Sequence, residues 1–374
     1  MAAPDVVVIG AGIVGAACAL ACAREGLSVT VIEADLAGGG ATAAGMGHLV
    51  VMDDSEAQFS LTRYSVELWR ELSGELPQNA EYTPYGTIWV AVDGEEMAHV
   101  AGKREFYAAR GVATEILDQR ALAEAEPHLR AGLAGGLLVP GDAVVYPPCA
   151  ARYFIETAER RGTKLQIGRR VVEILRDGVQ LEDSTRISAG VVVNAAGSWA
   201  PKLTPGVDVR PRKGHLVITD RYPGFVRHQL VELGYLKSAH SLSADSVAFN
   251  IQPRLTGQLL IGSSRQFGAE DSSVEHSMLV RMVARAGEFM PEIGGLLATR
   301  AWTGFRAATP DKLPLIGPWP ENDRLFLATG HEGLGITTSL ATGALLADQL
   351  MGRASRIPHA PYLPGRTFQH AEQT

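Results

Sequence analysis

The apolar and polar positions of the first forty residues predict a strand, a helix and a second strand. Residues 6–9 are an apolar, β-branched run, the pattern of a strand buried in a parallel sheet. The segment AACALACAREG (16–26) is helical in character, and Gly26 is placed to end the helix. The run LSVTVIE (27–33) is a second buried strand. This order is typical of an α/β unit that binds a dinucleotide.

Further along, two kinds of pattern alternate. Helix–strand pieces recur at about 145–210 and about 320–355, an amphipathic helix is predicted over 58–76, and strand-rich pieces such as 82–92, 246–253 and 258–264 fill the gaps. We therefore expect two domains that are interleaved in the sequence. Residues 1–78, 145–212 and 318–374 form the dinucleotide-type domain, and residues 79–144 and 213–317 form a strand-rich domain.

Composition adds limits rather than a function. The chain has 374 residues, of which 46% are hydrophobic and 20% charged, enough for two domains with cores of their own. The formal net charge is −7, and the acidic and basic residues are interspersed. No basic face is evident, so a nucleic-acid partner is not expected.

The cysteines and the apolar N-terminal run indicate the cellular compartment of the protein. Cys18 and Cys22 lie four apart in the helical run without a nearby histidine, so we expect core residues and no metal site. With Cys149 the count is three, which fits a reducing cytoplasm. Residues 1–5 carry no Lys or Arg before the apolar run, so neither a signal nor a membrane segment is predicted.

Three glycines carry the first chemical signal. Gly10, Gly12 and Gly15 form G-x-G-x-x-G between the first strand and the helix. The first permits a tight turn, the second lets the backbone approach a pyrophosphate, and the third lets the helix pack close to the strand. The helix N-terminus then favours phosphate. Glu33, at the end of the second strand, can accept both ribose hydroxyls of an adenosine.

Two later stretches favour FAD over a nicotinamide. Residues 36–50 are rich in Gly and Ala and suit backbone that lies against a flat ligand, with a flexible surface loop as the alternative. The segment ATGHEGLGITTS (328–339) starts a second helix, whose N-terminus can stabilise negative charge on a reduced flavin. An ordinary Gly-rich helix cap is the alternative there.

The order of five motifs resembles a known superfamily. GAGIVG (10–15), GATAAGM (40–46), VVNAAGSWA (192–200), GFRAATPDKLPLIG (304–317) and GHEGLGIT (330–337) are similar to those of D-amino-acid, glycine and sarcosine oxidases. The resemblance implies an α/β fold: a Rossmann-like FAD-binding domain of the glutathione-reductase type, interleaved with an antiparallel-sheet substrate domain. Residues 45–65 resemble D-hydroxyproline dehydrogenases.

The resemblance gives the arginine of the fourth motif a role. Arg306 is implied to hold the substrate carboxylate over the flavin, and a planar, permanently charged fork suits that task. A salt bridge with a local acid such as Asp311 is the alternative, although Asp311 reads as a turn residue. Ala307 stands where the family often has proline. The resemblance implies that sarcosine oxidases bind FAD covalently through a cysteine near this motif. No cysteine lies near Gly304 here, so FAD is expected to be non-covalent.

The remaining site residues are of two kinds. His48 is a second catalytic candidate, with a local hydrogen bond as the alternative. Tyr235, Asn250 and Gln252 are weaker candidates for the second substrate ligand. His331 and Glu332 are interpreted as capping residues, with a catalytic role as the alternative. The residues expected to contact the cofactor are Gly10, Gly12, Ile13, Val14, Gly15, Glu33, Ala34, Thr42, Ala43, Ala44, Gly45, Met46, Val172, Ala196, Gly197, Trp199, Gly304, Gly330, Gly333, Leu334, Gly335, Ile336 and Thr337.

The resemblance implies an FAD-dependent dehydrogenase of D-amino or imino acids, with cis-4-hydroxy-D-proline or D-proline favoured. Hydride would pass from the α-carbon to flavin N5. A glycine- or sarcosine-type oxidase that uses oxygen is one alternative, and the catalytic subunit of a heteromeric amine dehydrogenase is another. Electron-accepting partner subunits, a membrane quinone chain and homo-oligomerisation all stay open.

Overall fold

The strand–helix–strand at the N-terminus forms as the pattern predicts. It comprises β1 (Val6–Ile9), α1 (Ile13–Arg24) and β2 (Val29–Glu33). Gly26 follows α1 with φ +81°, the left-handed conformation that ends many helices. Cys18 and Cys22 are fully buried in α1, so the expectation that they are core residues is confirmed.

The structure, a computed structural model, describes residues 3–234, 245–269 and 271–368. The chain divides into unit 1 (residues 1–80, 145–211 and 305–374) and unit 2 (residues 81–144 and 212–304). Residues 305–317, which we expected in the strand-rich domain, lie in unit 1. The reason is local: residues 307 and 308 pair with residues 332 and 331, and residues 315–319 pair with the strand that ends at Thr329.

A mostly parallel sheet organises unit 1. Its further strands are β8 (Lys164–Ile167), β12 (Val191–Asn194), β18 (Leu315–Trp319) and β19 (Asn322–Thr329). The order is β18-β19-β12-β1-β2-β8, and only the β18–β19 pair is antiparallel. An antiparallel three-stranded sheet, in the order β11-β10-β9, is formed by β9 (Val171–Leu175), β10 (Gly178–Leu181) and β11 (Arg186–Ser188).

The described part of unit 1 has five further α-helices and two short strands. They are α2 (Gly40–Ala43), α3 (Glu56–Leu72), α6 (Pro147–Glu159), α7 (Ala200–Leu203) and α9 (Gly335–Leu350), with short strands β3 (His48–Leu49) and β20 (His331–Glu332). The predicted amphipathic helix is α3, and Ser55 caps it by accepting from the backbone N–H of Gln58. Helices α1 and α9 pack closely, because a Cβ on Gly343 would lie 2.6 Å from the carbonyl oxygen of Ala17.

Unit 2 is built on a mainly antiparallel sheet. Its strands are β4 (Thr87–Ala91), β5 (Glu115–Asp118), β6 (Gly135–Val139), β13 (Arg210–Arg221), β14 (Gln229–Glu232), β15 (Ser246–Pro253), β16 (Gln258–Phe267) and β17 (Ala298–Ala308). Their order is β17-β13-β16-β15-β14-β4-β6-β5, in which β14 and β4 run parallel. Strand β13 begins, and β17 ends, in unit 1. The short strand β7 spans Ala143–Val144.

The helices of unit 2 are α4 (Gly94–Ala108), α5 (Gln119–Ala125) and α8 (His276–Phe289). Helix α8 closes the core, where the rings of Phe249 and Phe289 stack with their centroids 4.4 Å apart. The antiparallel pairing of most other neighbouring strands in the sheet of unit 2 confirms the predicted antiparallel sheet. Among the described residues, no helix has the length and apolar character needed to span a membrane.

Candidate active site

The first helix N-terminus of unit 1 is shaped by two glycines. Gly10 has φ +100°, a backbone conformation that residues with a side chain rarely adopt. A Cβ on Gly15 would lie 2.1 Å from the carbonyl oxygen of Gly10, closer than any real contact. The first turn of α1 therefore sits directly against the end of β1. Its free N–H groups can face an anionic ligand.

Glu33 lies beside this helix start. Its Oε2 accepts from the N–H of Ala11 at 2.7 Å, and its Oε1 accepts from the N–H of Asp35 at 2.8 Å. These bonds fix the carboxylate, and each oxygen keeps a further lone pair for a ligand hydroxyl. The position of the Glu33 carboxylate beside the start of α1, and its free lone pairs, both suit a ribose. Ala34 follows Glu33 directly in the chain.

A segment of small residues joins the starts of α1 and α9. At one end, the hydroxyl of Thr42 accepts from the N–H of Ile13 at 2.9 Å. Further on, Gly45 packs so closely on Ile336 that a Cβ would lie 2.6 Å from its Cδ1. At the other end, the hydroxyl of Thr337 donates to the carbonyl oxygen of His48 at 2.8 Å. The segment 42–48, which includes Ala43, Ala44 and Met46, thus contacts both helix N-termini.

The start of α9 is held by contacts that the sequence did not reveal. The indole N–H of Trp69 donates to the carbonyl oxygens of Ile336 and Thr337, at 3.3 and 3.1 Å. Trp69 is fully buried on α3, where the helical pattern marks it only as core. Its ring therefore anchors the second helix N-terminus to the body of unit 1.

Arg306 lies beside this same helix start. Strand β17 pairs with β20 through Ala307 opposite Glu332, so Arg306 comes next to the turn that follows β20. A Cβ on Gly333 would lie 3.9 Å from Cδ and Nε of Arg306. Helix α9 begins two residues later, at Gly335, and the side chains of Val14 and His331 lie near that glycine. The positively charged side chain of Arg306 therefore lies beside the N-terminus of α9.

Asp311 serves the turn after β17. Both of its carboxylate oxygens accept from Arg366, at 2.8 and 2.9 Å, and Oδ1 also accepts from the N–H of Leu313. Its role as a structural turn residue agrees with the sequence analysis. Arg366 itself lies in a C-terminal segment where no motif marked it.

His331 is buried beside a hydroxyl of α9. Its Nε2 lies 2.9 Å from the hydroxyl of Thr342, which also lies 2.9 Å from the carbonyl oxygen of Thr338. Either tautomer of the ring can bond to this hydroxyl, which is both a donor and an acceptor. Burial lowers the pKa of His331 to about 3, so the ring is neutral at physiological pH. His331 supports the helix start, while Glu332 takes φ +49° in the turn.

His48 differs from His331 because its ring nitrogen is unsatisfied. The Nε2 atom is buried and has no hydrogen-bond partner among the residues that the structure describes. Burial lowers the pKa of His48 to about 4, so this ring is also neutral near pH 7. A catalytic role for His48 stays a prediction.

The remaining expected residues are distributed over both units. Ala196, Gly197 and Trp199 form the turn after β12, and the hydroxyl of Thr329 donates to the carbonyl oxygen of Gly197. Val172 and Trp199 are apolar yet 44% and 60% exposed, which leaves surface for a ligand in unit 1. Gly330 has φ +79° at the end of β19. Gly304 is the last residue of unit 2.

The weaker substrate candidates belong to unit 2. Asn250 and Gln252 lie on β15 and are buried. The Oδ1 atom of Asn250 has no hydrogen-bond partner within the described part of the chain. Tyr235 lies outside the described residues. A substrate role for these three residues stays a prediction.

The geometry of unit 1 agrees with a family match over most of the chain. The model of the family described as FAD dependent oxidoreductase matches residues 5–349. The chain belongs to this family. FAD is therefore its cofactor, and the chain is an FAD-dependent amino-acid oxidoreductase. The resemblance inferred from the five motifs is confirmed.

Relatives place the chain among amino-acid enzymes of this family. The hydrogen cyanide synthase subunit HcnC of Pseudomonas aeruginosa is 28% identical, over 97% of this chain and 96% of that protein. The crystal structure of glycine oxidase from Geobacillus kaustophilus has a TM-score of 0.88 at 27% identity, covering 98% of this chain and 99% of that one. The structure of L-proline dehydrogenase from P. horikoshii has a TM-score of 0.84 at 26% identity, with 96% of each chain covered. The predicted α/β fold is confirmed.

The residues of unit 1 fit FAD. The start of α1 offers N–H groups and a glycine turn that no larger residue could form, which suits the pyrophosphate. The fixed carboxylate of Glu33 suits the adenosine ribose. The segment 42–48 then leads from this helix to the start of α9, where the flavin ring would meet a second helix N-terminus.

The two buried histidines predict acid sensitivity. Both are neutral in the folded protein, whereas in the unfolded chain they bind protons below about pH 6.5. Their contribution to stability is fully present above that pH and is lost as pH falls toward 4. For each histidine, the loss can reach roughly 1.4 kcal/mol for every pH unit that separates its folded pKa from its unfolded pKa. We expect Tm to fall between pH 7 and pH 4.5, and less steeply in a His331→Gln variant, whose amide keeps a donor. Identical slopes in the two proteins would contradict this.

Proposed function

We propose that the protein is an FAD-dependent dehydrogenase of D-amino or imino acids. Cis-4-hydroxy-D-proline and D-proline are the favoured substrates, and bound FAD would accept a hydride from their α-carbon. The observation that carries the proposal is the position of Arg306 beside Gly333 and the start of α9. Unit 1 is proposed as the FAD-binding domain and unit 2 as the substrate-binding domain.

Arg306 is proposed to hold the substrate carboxylate. A guanidinium can donate two parallel hydrogen bonds to a carboxylate, which fixes both the position and the rotation of the substrate. Its strand is anchored by pairing with β20, and the next residues, Ala307 and Ala308, are buried. A clamp on a fixed strand can present the α-hydrogen to the flavin in one orientation.

Bound FAD supplies the acceptor for the hydride and its two electrons. The chain supplies the surroundings. The start of α9 presents a positive dipole end, which favours negative charge on the ring that accepts the hydride. The neutral, buried Nε2 of His48 is proposed to form a hydrogen bond with the substrate. The substrate amine must be uncharged when hydride leaves, and a neutral imidazole does not oppose that state.

Non-covalent binding of FAD is part of the proposal. Cys18 and Cys22 are buried in α1, and Cys149 lies at the start of α6, so no cysteine belongs to the segments around the proposed flavin ring. Treatment with acid should therefore release all the flavin from the denatured chain. Flavin that stays with the precipitate would mean a covalent bond.

Two observations support the substrate class. Residues 45–65 resemble D-hydroxyproline dehydrogenases. The structure of L-proline dehydrogenase, with its TM-score of 0.84, belongs to an enzyme named for a cyclic imino acid. A small-amine oxidase is the second candidate, favoured by the similarity to glycine oxidase. The relative HcnC is named as a subunit of hydrogen cyanide synthase, which favours a partner chain as the electron acceptor. A membrane quinone is a further candidate acceptor.

Bleaching of the bound flavin without oxygen tests the proposal. The panel is D-proline, cis-4-hydroxy-D-proline, D-alanine, glycine and sarcosine. We expect fast bleaching by the two cyclic D-imino acids, slow recovery of colour in air and quick recovery with an artificial dye. A His48→Phe variant should bleach more slowly with its spectrum otherwise intact. Bleaching by glycine or sarcosine alone, with rapid recovery in air, would establish an oxidase and reject the D-imino-acid assignment.

A further inference from the structure

The chain after α9 forms a strap, residues 351–368, that is tied to unit 1 by arginines. Arg353 donates to both carboxylate oxygens of Glu25, the residue that follows α1, at 2.8 and 2.7 Å. Arg356 pairs with Glu67 on α3 at 2.5 Å. Tyr362 is buried in the same segment. The strap is therefore part of the folded body of unit 1 rather than a loose end.

The last of these arginines, Arg366, makes the most extensive contacts. Its Nε and Nη2 donate to the two carboxylate oxygens of Asp311, at 2.8 and 2.9 Å. The same guanidinium donates to the carbonyl oxygens of Leu313 at 2.7 Å and Pro314 at 3.0 Å. Both members of the pair are 10% exposed. A bidentate pair that is nearly buried and also bonded to backbone holds a turn more firmly than a surface ion pair does.

The turn held by Arg366 directly follows the strand that carries Arg306. The hydroxyl of Thr309 donates to the carbonyl oxygen of Leu313 at 2.8 Å, so Arg366 and Thr309 share one acceptor. Lys312 closes the turn with φ +62°. Only Ala307 and Ala308 lie between Arg306 and Thr309 along the chain, and Ala308 is fixed by its pairing with His331.

We propose that Arg366 is a positioning residue that sets the carboxylate clamp through Asp311. A clamp gives tight binding only when its own backbone is fixed before the substrate arrives. The strap fixes that backbone from the C-terminal side of Arg306, while pairing of β17 with β20 fixes it from the neighbouring strand. This inference rests on the proposed role of Arg306.

The test compares two ligands that differ only in the group the clamp would hold. Pyrrole-2-carboxylate and pyrrole-2-carboxamide are titrated into the FAD-bearing protein, and binding is followed by the change in the flavin spectrum. We expect Arg366→Gln to weaken binding of the carboxylate about tenfold and to leave binding of the carboxamide within about twofold. Arg366→Lys keeps the charge but not the fork, so it should restore binding in part. Arg356→Gln removes another tie of the strap, one that does not reach the turn, and should change neither ligand.

A double variant tests whether Arg366 acts through Arg306. In an Arg306→Ala background, Arg366→Gln should cause no further loss of carboxylate affinity, because the clamp is already gone. Equal weakening of both ligands, or unchanged carboxylate binding in a yellow Arg366→Gln protein, would overturn the inference. If Arg366→Gln does not fold, the two ligands are compared in Arg366→Lys and Asp311→Asn instead. Loss of FAD in all three variants would mean that the pair of Arg366 and Asp311 is needed for folding and does not position the clamp. If Arg306→Ala itself leaves carboxylate binding unchanged, the proposed function fails and not only the role of Arg366.

Discussion

Replacing Arg306 with alanine is expected to raise KM for the amino-acid substrate about 100-fold or more while the protein stays yellow. Two charge-assisted hydrogen bonds to the carboxylate would be lost, each contributing about 1.5–3 kcal/mol. A loss of roughly 3 kcal/mol corresponds to about two orders of magnitude in kcat/KM. We expect kcat to fall as well, because the α-hydrogen is no longer held in one orientation. Steady-state kinetics with a dye as acceptor measure both constants.

Two further variants control this result. Arg306→Lys keeps the charge but loses the fork, so its KM should lie between those of the wild type and the alanine variant. Arg324→Ala removes an exposed arginine from β19 in the same unit and should leave KM unchanged. Normal turnover by Arg306→Ala would show that the carboxylate is held elsewhere.

Gly15→Ala is expected to give a colourless, destabilised protein. The added Cβ would lie 2.1 Å from the carbonyl oxygen of Gly10, and both groups belong to backbone that cannot swing away. Helix α1 must shift from β1, which moves the N–H groups that face the pyrophosphate and disturbs the packing of α1 against α9. Overpacking of this kind costs about 1–3 kcal/mol or more. The flavin content of the purified protein and its Tm measure the two effects.

A matched glycine separates this effect from the general cost of a methyl group. Gly74 lies in unit 1 after α3, where a Cβ would meet nothing within 4 Å. Gly74→Ala should retain FAD and a wild-type Tm. A yellow Gly15→Ala protein with an unchanged Tm would mean that the fingerprint does not bind the pyrophosphate as described.

The parts of the site that the sequence predicted are those set by local sterics. The turn from β1 into α1 needs glycine at positions 10 and 15 whatever surrounds it, so the spacing alone indicated a dinucleotide. The glycines of residues 330–335 likewise predicted the start of α9. The family resemblance added the expected role of Arg306, and the structure places that residue beside Gly333.

The parts that the sequence did not predict depend on partners far apart in the chain. Asp311 and Arg366 are 55 residues apart, and an arginine in a segment rich in proline gives no sign of its partner. Trp69 donates to the backbone of residues 336 and 337, more than 260 residues away, yet its helical position indicates only burial. The boundary at residue 305 was also missed, because pairing of β17 with the two-residue strand β20 leaves no periodic signal.

The most direct test of the central claim is the spectrum of the purified yellow protein, recorded without oxygen before and after addition of D-proline. We expect the flavin absorbance to bleach within one turnover, D-prolinamide to bleach it far more slowly, and Arg306→Ala to remove the difference between the two compounds. A flavin that no amino or imino acid bleaches, or that the amide bleaches as fast as the acid, would contradict a carboxylate-directed amino-acid dehydrogenase.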